Sequence, residues 1–128
     1  MNIMIVGGAE HEVEEWQYIL DTVLPNVKPY HAKAYIDMLS FFSKDPPSLV
    51  LLSISFEDYD WTEGVDLIRS IDPDLPIVLI SGDERLAVKA FSYKIFDYLV
   101  KPIRKEQIER TIKKMKKIVN QHVKGRNV

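Results

Sequence analysis

The chain has 128 residues, which is the length of one ordinary domain and enough for a single buried core. Its apolar share of 46% argues against disorder, and the lack of cysteine excludes disulfide frameworks, thiolate metal sites and cysteine nucleophiles. The net charge of −2 conceals an asymmetry, because residues 101–128 carry ten Lys or Arg against two Glu, which leaves about −10 on the rest.

The chain begins with an apolar run at residues 2–6 that is too short for a helix and predicts a strand. Residues 9–24 predict the first helix, whose acidic first turns suit the helix dipole. Its inward positions are Val13, Trp16, Leu20 and Val23. Residues 27–32 predict a weak edge strand, because Pro29 cannot donate a hydrogen bond to a neighbouring strand.

The middle of the chain repeats this alternation. Residues 33–44 predict a second helix, and residues 48–54 predict a strand that is buried on both faces. The inward stripe of the second helix is expected to be Tyr35, Leu39 and Phe42. A polar loop leads to a third helix at residues 63–71, and a turn then leads to another buried strand at residues 77–81.

The last third of the chain predicts two more helices and one strand. Residues 83–94 predict a short, polar helix, and residues 96–100 predict a fifth strand that ends at Lys101-Pro102. The final helix is expected to end near His122, and the sequence KGRNV after it is expected to fray. Its inward stripe is Ile108, Ile112, Met115 and Val119.

Five strand–helix units with nearly continuous apolar strands predict an α/β fold of the flavodoxin-like type. The expected architecture is a doubly wound, five-stranded parallel sheet in the order 2-1-3-4-5 with helices on both faces. We expect one domain over residues 1–122 and a basic C-terminal tail or linker over residues 123–128. Ligands of such sheets bind beyond the carboxyl ends of the strands. The candidate site residues are therefore Gly7, Gly8, Ser53, Ser81 and Lys101.

These residues resemble the site of a receiver domain of a bacterial two-component response regulator, and the resemblance covers residues 2–122. The stretch AVKAFSYKIFDYLVKPI at residues 87–103 resembles the receivers of LytTR-type regulators in particular. The resemblance implies a phosphorelay in which a phosphoryl group moves from a histidine kinase to an aspartate after strand 3. It also implies an acidic pair after strand 1 that holds Mg²⁺.

The retained positions of the family pattern are a hydroxyl, a lysine and an aromatic ring. Ser81 stands where a hydroxyl senses the phosphate, and Lys101 stands where a lysine pairs with it. Pro102 completes a Lys-Pro peptide that is often cis in the family. Tyr98 stands at the aromatic position that relays the change.

The lost positions are those of the carboxylates. Gly7 and Gly8 stand where the metal-binding pair is expected, and Ser53 stands at the phospho-acceptor position. Because Mg²⁺ is held by carboxylates and phosphate oxygens, and phosphoryl transfer depends on that ion, we expect no Mg²⁺ binding, no cofactor and no enzymatic activity. Three loop carboxylates nearby in sequence are not expected to replace the missing ones: Asp58, Asp60 and Asp83.

Two other functions remain open on the sequence alone. One is an active receiver with an unusual acceptor, although Ser53 has no neighbouring general base to activate it. The other is a sensor of a small anion or nucleotide, since backbone amides at a helix N-terminus bind phosphate. Its ligand set would be Gly7, Gly8, Ser53, Ser81 and Lys101. The competing interpretation is that Lys101 folds onto Asp60, Asp83 or backbone carbonyls.

The resemblance places an output surface on the fourth helix, the fifth strand and the fifth helix. We expect it to bind a protein partner or an output domain in transcription regulation, through Lys89, Phe91, Phe96, Asp97 and Arg110. Its charged members would form ion pairs across a symmetric homodimer. Without a phosphoryl group, we expect either one fixed conformation or a switch that a partner or another ligand drives.

The basic C-terminal stretch has three interpretations: a solvated helix face that leads into another segment, a contact for an acidic partner, or a nucleic-acid site. The last is the least favoured, because the lysines have neither interleaved aromatic residues nor a recognition-helix pattern. No apolar stretch approaches the roughly 20 residues that span a bilayer, and there is no signal-peptide pattern. We therefore expect a cytoplasmic protein without membrane contact.

Overall fold

A computed structural model gives the conformation of residues 1–54 and 61–126, with side chains as far as residue 118. The strands are β1 (Ile3–Val6), β2 (Tyr30–Ala32), β3 (Leu49–Ser53), β4 (Ile77–Ser81) and β5 (Asp97–Val100). The helices are α1 (Glu10–Val23), α2 (Tyr35–Lys44), α3 (Trp61–Ile71), α4 (Ala87–Ser92) and α5 (Lys105–Arg126).

The five strands form one parallel sheet in the order β2-β1-β3-β4-β5, which confirms the predicted topology. Val6 of β1 pairs with Leu52 of β3, and Ser81 of β4 pairs with Val100 of β5. The carboxyl ends of these strands therefore lie along one edge of the sheet. The strand order reverses between β1 and β3, which is where ligands of doubly wound sheets bind.

Alternate side chains of each strand enter two separate cores, one on each face of the sheet. Leu52 and Leu79 pack with residues of α2, α3 and α4, whereas Leu51 and Ile80 pack with residues of α1 and α5. Every residue of β1, β3 and β4 is buried, as expected for strands that helices cover on both sides.

The predicted inward stripe of α2 was wrong at one position. Leu39 is 41% exposed, whereas Met38 is fully buried and Phe42 is 8% exposed. The reason is that Met38 and Leu39 both lie at helical spacing from Phe42, one four residues before it and the other three. Because both side chains are apolar, the hydrophobic pattern alone could not determine which of them faces the core.

The fourth helix also differs from its predicted bounds. The helix expected at residues 83–94 is a 3₁₀ turn at Glu84–Leu86 followed by the short α4. The turn forms because an Asp83 carboxylate oxygen accepts the Arg85 backbone N–H at 2.9 Å, which caps the segment before α4 begins.

The final helix, α5, continues to Arg126 instead of ending near His122, so the expectation that KGRNV frays was wrong for its first residues. The proposed boundary between a domain and a tail at residue 122 stays a prediction. Among the described residues, no helix is both long enough and apolar enough to cross a membrane.

Substitutions in α2 test which of its residues faces the core. Met38→Ala should lower the free energy of unfolding by about 2–5 kcal/mol, because it opens a cavity at a fully buried position. Leu39→Ala, its neighbour and matched control, should cost at most about 1 kcal/mol. Urea denaturation measures both values, and a larger loss for Leu39→Ala would contradict the observed rotation of the helix.

Candidate functional site

The turn after β1 has an unusual backbone. Gly7 and Gly8 adopt φ values of 77° and 87°, in the left-handed region. A Cβ atom on Gly7 would lie 3.0 Å from the backbone oxygen of Ser53, and one on Gly8 would lie 3.0 Å from the Trp16 ring and 3.1 Å from Val13. Conformation and space therefore both disfavour any side chain at the two positions where the family resemblance implies carboxylates.

Ser53 lies at the end of β3, beside this turn. It is only 6% exposed, and its hydroxyl has no hydrogen-bond partner among the residues that the structure describes. The histidine of β2, His31, has its Nε2 atom 2.9 Å from the Gly7 carbonyl oxygen. Because a carbonyl only accepts, this nitrogen donates, and it is not available as a base for Ser53.

Lys101 is turned toward α1. Its Nζ atom lies 3.0 Å from a carboxylate oxygen of Glu12 and 5.5 Å from the centre of the Trp16 ring. The Lys101–Pro102 peptide is cis, as the family pattern indicated. One interpretation of the sequence was that Lys101 folds onto an acidic residue, and Lys101 does have such a partner. The expected partner Asp83 was wrong, because the partner is Glu12. The other expected partner, Asp60, lies outside the described residues.

The pairing with Lys101 changes the acidity of Glu12. Partial burial alone would raise the pKa of the Glu12 carboxyl, but the hydrogen bonds from Lys101 and from the Ala9 backbone, together with the charges of Lys101 and His11, outweigh it. The pKa of Glu12 therefore lies below its ordinary value. The carboxylate and the ammonium compensate each other, so Lys101 contributes little net positive charge to the strand ends.

Ser81 and Tyr98 meet at the end of β4. The Ser81 hydroxyl accepts the Asp83 backbone N–H at 3.0 Å, and the Tyr98 phenol donates to the Asp83 carbonyl oxygen. Burial raises the pKa of the Tyr98 phenol; a hydrogen bond with Ser81 opposes this shift, and the charge of Asp83 adds to it. The two residues expected to act as a relay are therefore close together, and the hydrogen bonds of both are satisfied within the chain.

The residues present do not fit the magnesium ion that the fold family implies. Gly7, Gly8 and Ser53 offer no carboxylate, and Mg²⁺ needs hard oxygen ligands in near-octahedral geometry. Both carboxylate oxygens of Asp83 accept hydrogen bonds from the Arg85 guanidinium, each at 2.9 Å. Among the described residues there is no cluster of three or more His, Asp or Glu that could hold a metal. Asp58 and Asp60 lie outside the described residues.

The structure spreads the five predicted interaction residues along α4, β5 and α5. Phe91 is 51% exposed and Arg110 is also exposed, while Lys89 lies 5.8 Å from the centre of the buried Trp61 ring. Phe96 is half-buried beneath Lys114.

Asp97, the fifth member of this set, already has partners within its own chain. Its carboxylate accepts a hydrogen bond of 2.6 Å from the buried Thr111 hydroxyl. Its other oxygen accepts the backbone N–H of Tyr98 at 2.8 Å. The ion pairs expected across a homodimer stay a prediction.

Sequence reasoning missed three residues of this region. Glu12 and Trp16 hold Lys101, but an acidic residue in the first turn of a helix and an apolar residue on its inner stripe have ordinary explanations. Their separation of four residues, which places them on one face of α1, was the available signal. Val88 is 85% exposed on α4, one turn before Phe91, and adds an apolar side chain to the predicted interaction surface.

Comparison with known proteins identifies the family. A family model described as the response regulator receiver domain matches residues 3–113. A response regulatory protein of Shewanella oneidensis is 39% identical over 84 residues, which are 64% of this chain and 34% of that protein. The sensory transduction protein LytT of Bacillus anthracis is 25% identical over 134 aligned residues, which cover the whole chain and 54% of LytT. The chain therefore spans about half or less of the length of these curated relatives.

Solved structures agree with this match at the level of the fold. The response regulatory domain of protein mrkE from Klebsiella pneumoniae superposes with a TM-score of 0.78 at 22% identity, over 94% of this chain and 99% of that one. A response regulator receiver domain protein from Clostridium thermocellum superposes with a TM-score of 0.75 at 16% identity, over 95% and 97% of the two chains.

Substitution at the glycine turn tests its backbone constraint. Gly8→Ala should lower the free energy of unfolding by about 1–3 kcal/mol, because the left-handed backbone and the contacts with Trp16 and Val13 both oppose a Cβ atom. Gly82→Ala, at a glycine with open space around its Cβ position, should change stability by no more than about 0.5 kcal/mol. Equal urea midpoints for the two variants would contradict the constraint.

Carboxyl titration tests the pairing of Lys101 with Glu12. Lys101→Met should raise the pKa of Glu12 in a ¹³C NMR titration, because it removes the hydrogen bond and the positive charge that lower it. Lys33→Met, which removes a lysine 3.1 Å from Glu10 on the same helix, should leave the Glu12 value unchanged.

The pH dependence of stability has a defined sign. Since the pKa of Glu12 is lower in the folded chain than its ordinary value of 4.5, the pair stabilises the fold above that pH. Its contribution should be lost as the pH falls through the lowered folded value. Glu12→Gln should remove this part of the acid dependence of the free energy of unfolding.

In the NMR titration, an unchanged Glu12 pKa in Lys101→Met would show that the pair does not form in solution.

Proposed function

Because the chain belongs to the response regulator receiver domain family, we propose that it is a receiver-like signalling module that works without accepting a phosphoryl group. The turn after β1 carries this proposal. Gly7 and Gly8 occupy the metal-binding positions in left-handed conformations that disfavour a side chain. Ser53 occupies the acceptor position and offers a hydroxyl in place of a carboxylate.

The electrostatics of the strand ends support the same proposal. Phosphoryl transfer needs positive charge where the equatorial oxygens develop negative charge. Here the ammonium of Lys101 lies 3.0 Å from Glu12, so recruiting it for a phosphoryl group would first require the pair to break. The same pairing weighs against the alternative in which Lys101 holds a free anion.

The relay residues support a module with one resting conformation. A ligand shifts a conformational equilibrium only through a difference in its affinity for the two states. The phenol of Tyr98 is already bonded to the Asp83 carbonyl, and the Ser81 hydroxyl to the Asp83 N–H, without any phosphoryl group. We propose that this arrangement is retained unless a protein partner changes it.

The proposed output is protein–protein contact through the surface formed by α4, β5 and α5. Exposed apolar side chains at Val88 and Phe91 support this surface, since such groups are common in interfaces. We propose a non-enzymatic role in transcription regulation in the cytoplasm, with either an output domain or a second copy as the partner. Direct binding of nucleic acid by this domain is not part of the proposal. The greater length of relatives such as LytT is compatible with an output domain.

Incubation with a small phosphodonor tests the proposal. Acetyl phosphate and Mg²⁺ should leave the intact mass of the chain unchanged, because no carboxylates hold the ion at the turn after β1. Ser53→Asp restores only the acceptor and should also remain unmodified. A receiver domain that retains all of its aspartates serves as the positive control for the reagent.

A phosphoryl adduct on the wild-type chain would contradict the proposal. An adduct at Ser53 would establish a serine acceptor. An adduct at Asp58 or Asp60 would establish that one of these aspartates, in the segment after β3, serves as the acceptor. Peptide mapping of the modified chain distinguishes these outcomes.

A further inference from the structure

A groove lies at the edge of the sheet opposite Ser53, Ser81 and Lys101. It has a volume of about 480 Å³ and is formed by the segments that precede β4 and β5, together with α3 and α5. Its apolar floor contains Leu75 and Ile95, which are 4% and 6% exposed. Phe96 is half-buried beside them, and Ile118 of α5 is 48% exposed at the margin.

Three cations surround this floor: Arg69, Lys94 and Lys114. None of them has a carboxylate partner among the described residues. The Arg69 Nη2 atom donates to the Lys94 carbonyl oxygen at 2.7 Å. The Lys114 Nζ atom donates to the Phe96 carbonyl oxygen at 2.7 Å and lies 4.6 Å from the centre of the Phe96 ring. Asp74 is the one acidic residue among the described lining residues, so these residues carry a net charge of +2.

At the opposite edge of the sheet, where the carboxyl ends of the strands lie, cations are paired with carboxylates. Lys101 lies 3.0 Å from Glu12, and Arg85 lies 2.9 Å from Asp83. The carbonyl oxygens that accept from Arg69 and Lys114 are neutral and leave both positive charges uncompensated. The groove therefore retains a positive potential above an apolar surface. Such a surface attracts a ligand that combines negative charge with apolar groups.

Two local features at the groove carry a cost. Lys94 adopts a φ of 57°, in the left-handed region. Among the described non-glycine residues only Asn26 shares this conformation, and asparagine tolerates it better than lysine does. The Nε atom of Arg69 is buried and has no hydrogen-bond partner in the part of the chain that the structure describes. Buried donors normally have partners, so the unsatisfied atom indicates that the groove is not optimised for the isolated chain.

We propose that this groove binds an acidic, apolar peptide segment of a partner protein. Its carboxylates would pair with Arg69, Lys94 and Lys114, and its apolar side chains would cover Phe96 and Ile118. The inference rests on the proposed function, because Phe96 is shared with the interaction surface of α4, β5 and α5. It adds the chemistry of the partner, and it locates the contact at the end of that surface farthest from the phospho-acceptor position.

A peptide selection tests the proposal on the whole chain. The probe is a displayed library of random twelve-residue peptides, selected against the wild-type chain in low-salt buffer and sequenced. The selected peptides should be enriched in Asp and Glu beside Leu, Ile or Phe. Their affinity should fall about tenfold or more for Lys94→Glu/Lys114→Glu, since reversed charge repels the same carboxylates.

The control variant is Lys116→Glu/Lys117→Glu, which makes the same change of charge at exposed positions of α5 outside the groove. It should change the affinity less than about twofold, because neither of these lysines lines the groove. Circular dichroism of each variant shows whether it is folded. An Ile118→Asp variant provides a second test of the groove if the double variant does not fold.

Other outcomes would overturn the inference. The first is a selection that enriches no peptide that binds the wild-type chain better than Lys94→Glu/Lys114→Glu. The second is a set of selected peptides that lack acidic residues, and the third is an affinity that falls equally for the two double variants. A dimer in sedimentation that Lys94→Glu/Lys114→Glu dissociates would instead identify the occupant as a second copy of the chain. Peptides that lose affinity only for Phe91→Ala would overturn the groove but leave the proposed function standing. That function fails separately, through a phosphoryl adduct.

Discussion

The backbone of the turn after β1 is the constraint on which the chemistry of the strand ends depends. Gly7 and Gly8 are both left-handed, and the space around their Cβ positions is filled by Ser53, Val13 and Trp16. A carboxylate at either position would have to overcome backbone strain of about 1–2 kcal/mol as well as the steric contacts. The packing of β3 and α1 around the turn therefore disfavours a side chain at both positions.

Three of the retained family positions near that turn have partners within the chain. Lys101 pairs with Glu12, and the Tyr98 phenol and the Ser81 hydroxyl both bond to Asp83. Moving a two-state domain from 1% to 99% of the alternative state takes about 5.5 kcal/mol of differential binding. If this chain accepts no phosphoryl group, as proposed, that energy would have to come from contacts made by a partner on another surface.

The sequence predicted the sheet order well because the period of the hydrophobic pattern and the Pro and Gly punctuation act locally. It failed where two apolar neighbours were equivalent, as with Met38 and Leu39, because only packing decides which one rotates inward. The positions of Gly7, Ser53, Ser81 and Lys101 followed from topology. The pairing of Lys101 with Glu12 did not, because a lysine side chain reaches several carboxylates and only the folded α1 brings one to 3.0 Å.

The most direct test of the central claim is ¹⁹F NMR of the chain with Mg²⁺ and beryllofluoride, an analogue of the phosphoryl group that binds an acceptor carboxylate beside the metal. We predict that only the fluorine resonances of free species appear, and that the amide resonances of Gly7, Ser53 and Tyr98 do not move. A magnesium-dependent resonance of bound beryllofluoride, accompanied by shifts at those amides, would contradict the account.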